Sequence, residues 1–325
     1  MSEQAKALQD YFNLMTMNGS VYIFHTANKM GLLKPFATGP KKLSEVCGLC
    51  EVQERPTGLV LNALVEMGLL TSNKDTYSPT MLLSLLSGDY ENLSSNYWDH
   101  LPVLLKTNTP LKEMDSVKKS EEEYQKQVKS LEWMMKPSSL YLAKSHKVGS
   151  EFNGLKILDF GAGSGVWSFS MLQNDPTSTA TLLDWPAVLS VAKDSASKLN
   201  ISKRVNYLEG NYHETILEDD EFDIAIIANV THIEDEAGNA ALFTKAYNAL
   251  KKGGKLIIVD VFGTNPKGSL SKNLYEIGLA LRTQEGKVYH QDLISKWMKE
   301  IGFSSVQYGS IDELPFTMGQ VVGIK

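Results

Sequence analysis

From Leu155 onward, five short, continuously apolar runs alternate with amphipathic stretches: LKILDF (155–160), TATLLD (179–184), VNYLEG (205–210), FDIAIIAN (222–229) and KLIIVDVF (255–262). A strand that is apolar along its length offers no face to water, so it must lie in a sheet covered on both sides. Helices between such strands supply the cover, which makes the sheet parallel. In AALFTKAYNALKK (240–252), Ala240, Phe243, Tyr247 and Leu250 share one helical face, and Gly253-Gly254 is expected to stop the helix. The ending departs from this rhythm. HQDLISKWMKEIGF reads as a last helix, and SSVQYGSI and GQVVGIK read as two strands with no helix between them. Strands joined that closely pair antiparallel, so the fold class is α/β with a C-terminal antiparallel hairpin at one sheet edge.

The first hundred residues lack this alternation. SVYIFHTANKMGLL (20–33) predicts an amphipathic helix stopped at Gly31. KKLSEVCGLC (41–50) and RPTGLVLNALVEMGLL (55–70) predict a helix–turn–helix closing at Gly68, and TSNKDTYSPT (71–80) a short polar wing. Together they describe a helical winged-helix-like domain over 1–100, followed by a second domain with linking helices over 101–325. Winged helices often read DNA, but the second helix here offers Asn62 and Glu66 amid Leu59, Val60, Leu61, Leu64 and Val65. That apolar face suits a protein partner, and a homodimer through this domain is expected.

Charge and composition narrow the partners further. A formal net charge of -6 gives no pull toward nucleic acid or an anionic membrane. The opening MSEQAKALQD has no apolar signal core, and no apolar run approaches the roughly 18 residues of a membrane span, so a cytoplasmic protein is expected. The charged run KKSEEEYQKQVKS (118–130) reads as a solvated helix face. Cys47 and Cys50 have no second pair of Cys or His ligands near them, so no metal site is expected.

The first apolar strand leads into Asp159-Phe-Gly161-Ala-Gly163-Ser-Gly165. Glycines at a strand-to-helix turn let the backbone approach a ligand closely. Asp184 ends the second strand, 23 residues after Gly161, where a carboxylate can accept from ribose hydroxyls. These features alone fit either a nicotinamide dinucleotide or S-adenosylmethionine, and three details favour the latter. Val166 stands where the dinucleotide fingerprint wants glycine. Asp159, just before the glycines, suits a ligand ammonium and would repel a pyrophosphate. The terminal hairpin is also unlike the all-parallel end of a dehydrogenase domain.

Over almost its whole length the chain resembles the small-molecule O-methyltransferases of the acetylserotonin and caffeic-acid type and their bacterial relatives. The resemblance rests on an ordered set: LDFGAGSG (158–165), LLDWPAVL (182–189), EGNYHE (209–214), NVTHIEDE (229–236), NALKKGGKLIIVD (248–260) and KEIGF (299–303). It implies a Rossmann-like class I methyltransferase domain, a dimerisation domain over residues 20–80, and S-adenosylmethionine as cofactor. By position it implies that Gly161 and Gly163 face the methionine portion and ribose, and that Asp184 holds the ribose hydroxyls. Trp185 would pack beside the adenine, Asn211 accept from its amino group and Tyr212 cover the other ring face, with Asn229 also among the cofactor contacts. Taken singly, such aromatics are more often core residues.

Methyl transfer from a sulfonium is an in-line displacement, and a hydroxyl acceptor must lose its proton. His232 follows the fourth strand at the carboxyl edge of the sheet, where ligands collect, and it occupies the family's general-base position. Two departures stand out. Ile233 follows the histidine where the plant enzymes have an acidic residue, and Val288, between Lys287 and Tyr289, stands where they have a glutamate that orients the base. Glu234, Asp235 and Glu285 are the candidate substitutes. Without such a carboxylate, an acidic acceptor, a carbon or nitrogen nucleophile, or a non-catalytic cofactor-binding regulator comes into view. The acceptor pocket is expected to draw on Trp98, Met134, Met135, Tyr275 and Leu279, with Tyr97, Trp133 and Asn273 nearby in sequence.

Overall fold

The computed structural model describes residues 2–86, 95–111, 117–263, 270–311 and 318–325. The chain divides into two compact units, Met1–Trp98 and Asp99–Lys325.

The first unit opens with α1 (Glu3–Lys29), whose N-cap Ser2 accepts through Oγ from the Ala5 N–H. The helix begins well before Ser20 because Ser2 caps it and nothing between breaks it. Gly19 alone, at about 1 kcal/mol, weakens a helix without ending it. After Gly31, at φ 74°, come β1 (Lys41–Lys42), α2 (Leu43–Cys50), α3 (Glu54–Glu66), β2 (Leu70–Asn73) and β3 (Thr76–Pro79). The strands form an antiparallel sheet in the order β1-β3-β2. Its core gathers Ala27, Phe36, Val46, Leu61, Leu64 and Tyr77. Asn62 is spent inside this unit, accepting at Oδ1 from the Tyr77 hydroxyl at 2.8 Å. Along α1, by contrast, Leu8, Tyr11, Phe12, Leu14 and Met15 are all exposed by half or more. The short helices α4 (Met81–Leu86) and α5 (Ser95–Asp99) follow.

The second unit begins with α6 (Leu101–Thr107) and the long α7 (Val117–Ser145), and then takes up the strand–helix alternation that the sequence predicts. Its elements are β4 (Lys156–Phe160), α8 (Val166–Asn174), β5 (Thr179–Asp184), α9 (Pro186–Lys198), β6 (Val205–Glu209) and β7 (Phe222–Ala228). After them come α10 (Glu236–Ala249), β8 (Leu250–Asp260), α11 (Leu270–Ala280), α12 (Gln291–Ile301), β9 (Ser304–Ile311) and β10 (Met318–Ile324). The seven-stranded sheet runs β6-β5-β4-β7-β8-β10-β9. The first five strands are parallel, and β10 inserts antiparallel between β8 and β9.

Alternate residues of each strand feed two cores. Ile157, Leu182, Ile226 and Ile257 pack on one face with α8 and α9, while Leu158, Leu183, Ile227 and Ile258 pack on the other with α10 and α12. This two-sided burial is the reason the strands read as unbroken apolar runs. One boundary differs from the sequence reading. α10 ends at Ala249 rather than at the glycine pair, because Leu250 already pairs with Phe222 and the register shifts beyond it. Gly253 and Gly254 instead exchange hydrogen bonds with Lys325.

Candidate active site

The carboxyl ends of β6, β5, β4 and β7 are neighbours in the sheet, and the turns that leave them line a cavity together with α7.

The turn after β4 supplies one wall. Gly161 and Gly163 both sit at φ 59°, a left-handed conformation that costs an L side chain about 1–3 kcal/mol. A Cβ on Gly161 would come within 2.8 Å of the Val230 side chain, whereas one on Gly163 would meet nothing closer than 4.0 Å and would fill cavity space. Asp184 ties this turn to the next strand. Its Oδ2 accepts from the Gly163 N–H at 2.8 Å, and its Oδ1 from the Trp185 N–H at 2.7 Å. Burial pushes its carboxyl up to about 6, although these two amides pull the other way. Tyr124 from α7 stacks at a tilt on Trp185, with centroids 6.3 Å apart, and both line the cavity with Tyr212. Tyr212 is fixed by its hydroxyl, which donates to Glu234 Oε1 at 2.6 Å. Glycine backbone, a buried carboxylate and flat aromatic walls fit an adenosine-type ligand with a positive end.

The turn after β7 supplies the other half. Asn229 takes a left-handed φ of 57° and lines the cavity beside Val230 and Ile233. His232, 7% exposed, sets Nδ1 2.8 Å from Asp260 Oδ1 at the end of β8. A carboxylate only accepts, so Nδ1 donates to it, an arrangement that in the neutral ring leaves the lone pair on Nε2. The same carboxylate accepts from the Val261 N–H at 2.8 Å, the His232 N–H at 3.2 Å and the Thr231 hydroxyl at 2.5 Å. Asn239, fully buried on α10, pins the turn by donating to the carbonyls of Thr231, Glu234 and Asp235. The Tyr275 hydroxyl from α11 sits 3.4 Å from both ring nitrogens of His232, with the two rings edge to face.

The carboxylate beside His232 is therefore Asp260, and none of the three sequence candidates. Glu234 is held by Tyr212 and His213, Asp235 caps α10, and Glu285 is exposed. The signal for Asp260 lay in KLIIVDVF, an acidic residue closing the strand next to the one that delivers the histidine. The structure places the other expected residues as follows. Asp159 does not line the cavity: it is 1% exposed and accepts from the Ser168 N–H at 3.3 Å, holding the first turn of α8. Burial raises its carboxyl to about 7. Asn211 uses its Oδ1 on the His213 N–H at 2.9 Å, closing its own turn. Leu279, 1% exposed, is core, whereas Met135 lines the cavity with Met134 packed behind it. Trp98 belongs to the first unit, edge-on to Tyr97. Among the described residues no cluster of side chains could hold a metal ion.

A mostly parallel sheet of this order, ending in an antiparallel hairpin and carrying a glycine turn on β4, is the fold of the class I methyltransferases. Residues 113–304, more than half of the chain, match the O-methyltransferase domain family, and the chain belongs to that family of S-adenosylmethionine-dependent methyltransferases. It is 21% identical over 313 residues to the 3-hydroxy-5-methyl-1-naphthoate 3-O-methyltransferase of Streptomyces sahachiroi, covering 92% of this chain and 90% of that enzyme. Over 165 residues it is 28% identical to the L-tyrosine C(3)-methyltransferase of Streptomyces lavendulae, covering 48% of this chain and 43% of that enzyme. Its fold superposes on human N-acetylserotonin methyltransferase in complex with S-adenosylmethionine with a TM-score of 0.72 at 19% identity, covering 100% of this chain and 98% of that chain.

Proposed function

We propose that the chain methylates a hydroxyl group of a small aromatic or conjugated acceptor, with His232 as general base. The observation that carries this reading is the His232–Asp260 pair, with Nδ1 and Oδ1 2.8 Å apart, in the same turn as Val230 and Ile233, which line the cavity. Bound S-adenosylmethionine supplies a methyl carbon made electrophilic by its sulfonium. Gly161, Gly163, Asp184, Trp185, Tyr212 and Asn229 would hold the cofactor, the first three around the ribose and methionine portions and the aromatics beside the adenine. His232 Nε2 takes the acceptor's proton while Asp260 steadies the imidazolium that results, and the turn aligns oxygen with methyl. Tyr275 and Met135 bound the acceptor's side of the site. The named substrate of the Streptomyces sahachiroi relative, a hydroxynaphthoate, has the flat hydroxylated character this reading requires.

The experiment is transfer of a deuterated methyl group from the cofactor to a panel of phenols, with the product's labelled position read by NMR. An O-linked methyl supports the proposal. A C- or N-linked methyl would replace it with methylation at another atom, the former being the chemistry named for the Streptomyces lavendulae relative. Asp260→Asn, which keeps the shape and removes the charge, is expected to slow transfer about 10- to 100-fold and to change the shape of its pH profile.

The exposed Leu8, Tyr11, Phe12 and Met15 follow helical spacing along α1, which supports a homodimer through the N-terminal unit. Sedimentation should then give a dimer that Phe12→Glu, added to Met15→Glu, converts to monomer. A wild-type monomer would rule the dimer out.

A further inference from the structure

The cavity has a second acidic wall residue, with no part in the proposed chemistry. Among the described residues that line it there is no lysine, arginine or histidine, and two carry charge, Asp184 and Glu132. Asp184 is tied down, its two oxygens accepting from the Gly163 and Trp185 amides. Glu132 comes from α7 and is half-buried. Its Oε2 accepts from the Ser195 hydroxyl of α9 at 2.8 Å, and its other oxygen has no partner among the described residues. Lys136, one turn further along α7, turns its amine to α8, where Ser170 and Gln173 accept at 3.2 and 2.5 Å. Among the described residues no cation stands within 4.0 Å of the Glu132 carboxylate.

The place of Glu132 along the cavity is set by α7. Residues 124, 128 and 132 are four apart, so they follow one another on nearly the same side of the helix, about 6 Å apart along its axis. Tyr124 meets Trp185, with ring centroids 6.3 Å apart. One turn on, the Val128 side chain lies 4.0 Å from where a Cβ on Gly163 would stand. One turn further comes Glu132, beside Leu131 and Met135, which also line the cavity. Along α7 the wall thus runs from aromatic rings to the glycine turn to a carboxylate. S-adenosylmethionine has its parts in the same order: adenine, ribose, then an amino-acid tail.

A carboxylate on a cavity wall with no cation beside it keeps part of its desolvation cost uncompensated until a positive group arrives. The cofactor has two positive centres, the sulfonium and the α-ammonium. The sulfonium delivers the methyl group and belongs with the His232 turn, which leaves the ammonium for Glu132. A hydrogen bond between two charged groups is among the stronger ones. We propose that Glu132 accepts from the α-ammonium group at the amino-acid end of the cofactor, and so selects ligands that carry that group. The proposal rests on the cofactor placement above, with the adenine beside Trp185, and adds to it the residue that reads the far end.

The test is a calorimetric titration of S-adenosylhomocysteine, and of its analogue with hydrogen in place of the α-amino group, into wild type, Glu132→Gln, Ser195→Ala and Asp184→Ala. Wild type should bind S-adenosylhomocysteine about 10-fold or more tighter than the desamino analogue. Glu132→Gln should erase most of that preference while binding the desamino analogue as wild type does, which also shows that the variant is folded. Ser195→Ala frees the carboxylate without removing it and should keep the preference, which separates recognition of the ligand from the tie between α7 and α9. No preference in wild type, a preference that survives Glu132→Gln, or an equal loss of both ligands in Glu132→Gln would overturn the proposal. Asp184→Ala should weaken both ligands alike. Binding to wild type that Asp184→Ala leaves unchanged for both would overturn the cofactor placement, and the proposal with it.

Discussion

The two turns that open onto the cavity are built in opposite ways. The turn after β4 is backbone: a short run of glycines whose amides and bare Cα atoms form the wall, tied down by Asp184 from the next strand. The turn after β7 is side chain: His232, Asp260 and Tyr275 come from three separate segments and meet only when β7, β8 and α11 are in place. A backbone site recognises a constant ligand and tolerates little change in its few residues. A side-chain site can be rebuilt one residue at a time, which is how one fold takes up many acceptors. Cofactor binding and methyl transfer should therefore respond to different substitutions.

The sharpest separation should come from His232→Ala. Removing the base is expected to slow transfer about 10²- to 10⁴-fold while leaving cofactor affinity unchanged, as read by single-turnover kinetics beside a binding titration. The converse variant, Asp184→Ala, should weaken cofactor binding about 10- to 100-fold through lost charge-assisted hydrogen bonds. At saturating cofactor its transfer rate should fall much less. Equal losses in binding and rate for both variants would break the comparison.

Gly161→Ala probes how strictly the backbone wall is set. The left-handed φ and the 2.8 Å approach to Val230 should cost about 1–3 kcal/mol in a denaturant titration, and cofactor affinity should fall with it. Wild-type stability with Ala there would mean that the turn relaxes freely.

The gentlest signal is a slope with pH. Burial raises Asp159 to about 7 and Asp184 to about 6 in the folded chain, against about 3.9 when unfolded. Between those values the folded state binds more protons, so the stability these groups contribute is fully present below about pH 4 and is lost as pH rises through 6 and 7. The cofactor-free protein should gain on the order of 1 kcal/mol between pH 7 and pH 5, and Asp159→Asn should flatten that slope in thermal melts.

The legibility of these features in the sequence follows the same division. The sheet, its hairpin edge and the cofactor wall are readable because each is a local pattern: apolar runs of strand length, glycines at one turn, an acid at the next strand end. His232 is readable from its place after a strand. Asp260 is not legible as the histidine's partner because it lies 28 residues further along the chain, and only the sheet brings β8 directly beside β7. Asp159 is ambiguous in sequence for the opposite reason. A strand residue one place before the end can point into the core as easily as toward the ligand, and here its carboxylate serves Ser168.

The most direct measurement is the titration of S-adenosylmethionine into wild type, Asp184→Ala and His232→Ala under one set of conditions. Saturable binding that is weakened about 10-fold or more by Asp184→Ala and unchanged by His232→Ala is the expected result. No binding to folded wild type, or a loss in His232→Ala equal to that in Asp184→Ala, would contradict the division of the site into a backbone half for the cofactor and a side-chain half for the acceptor.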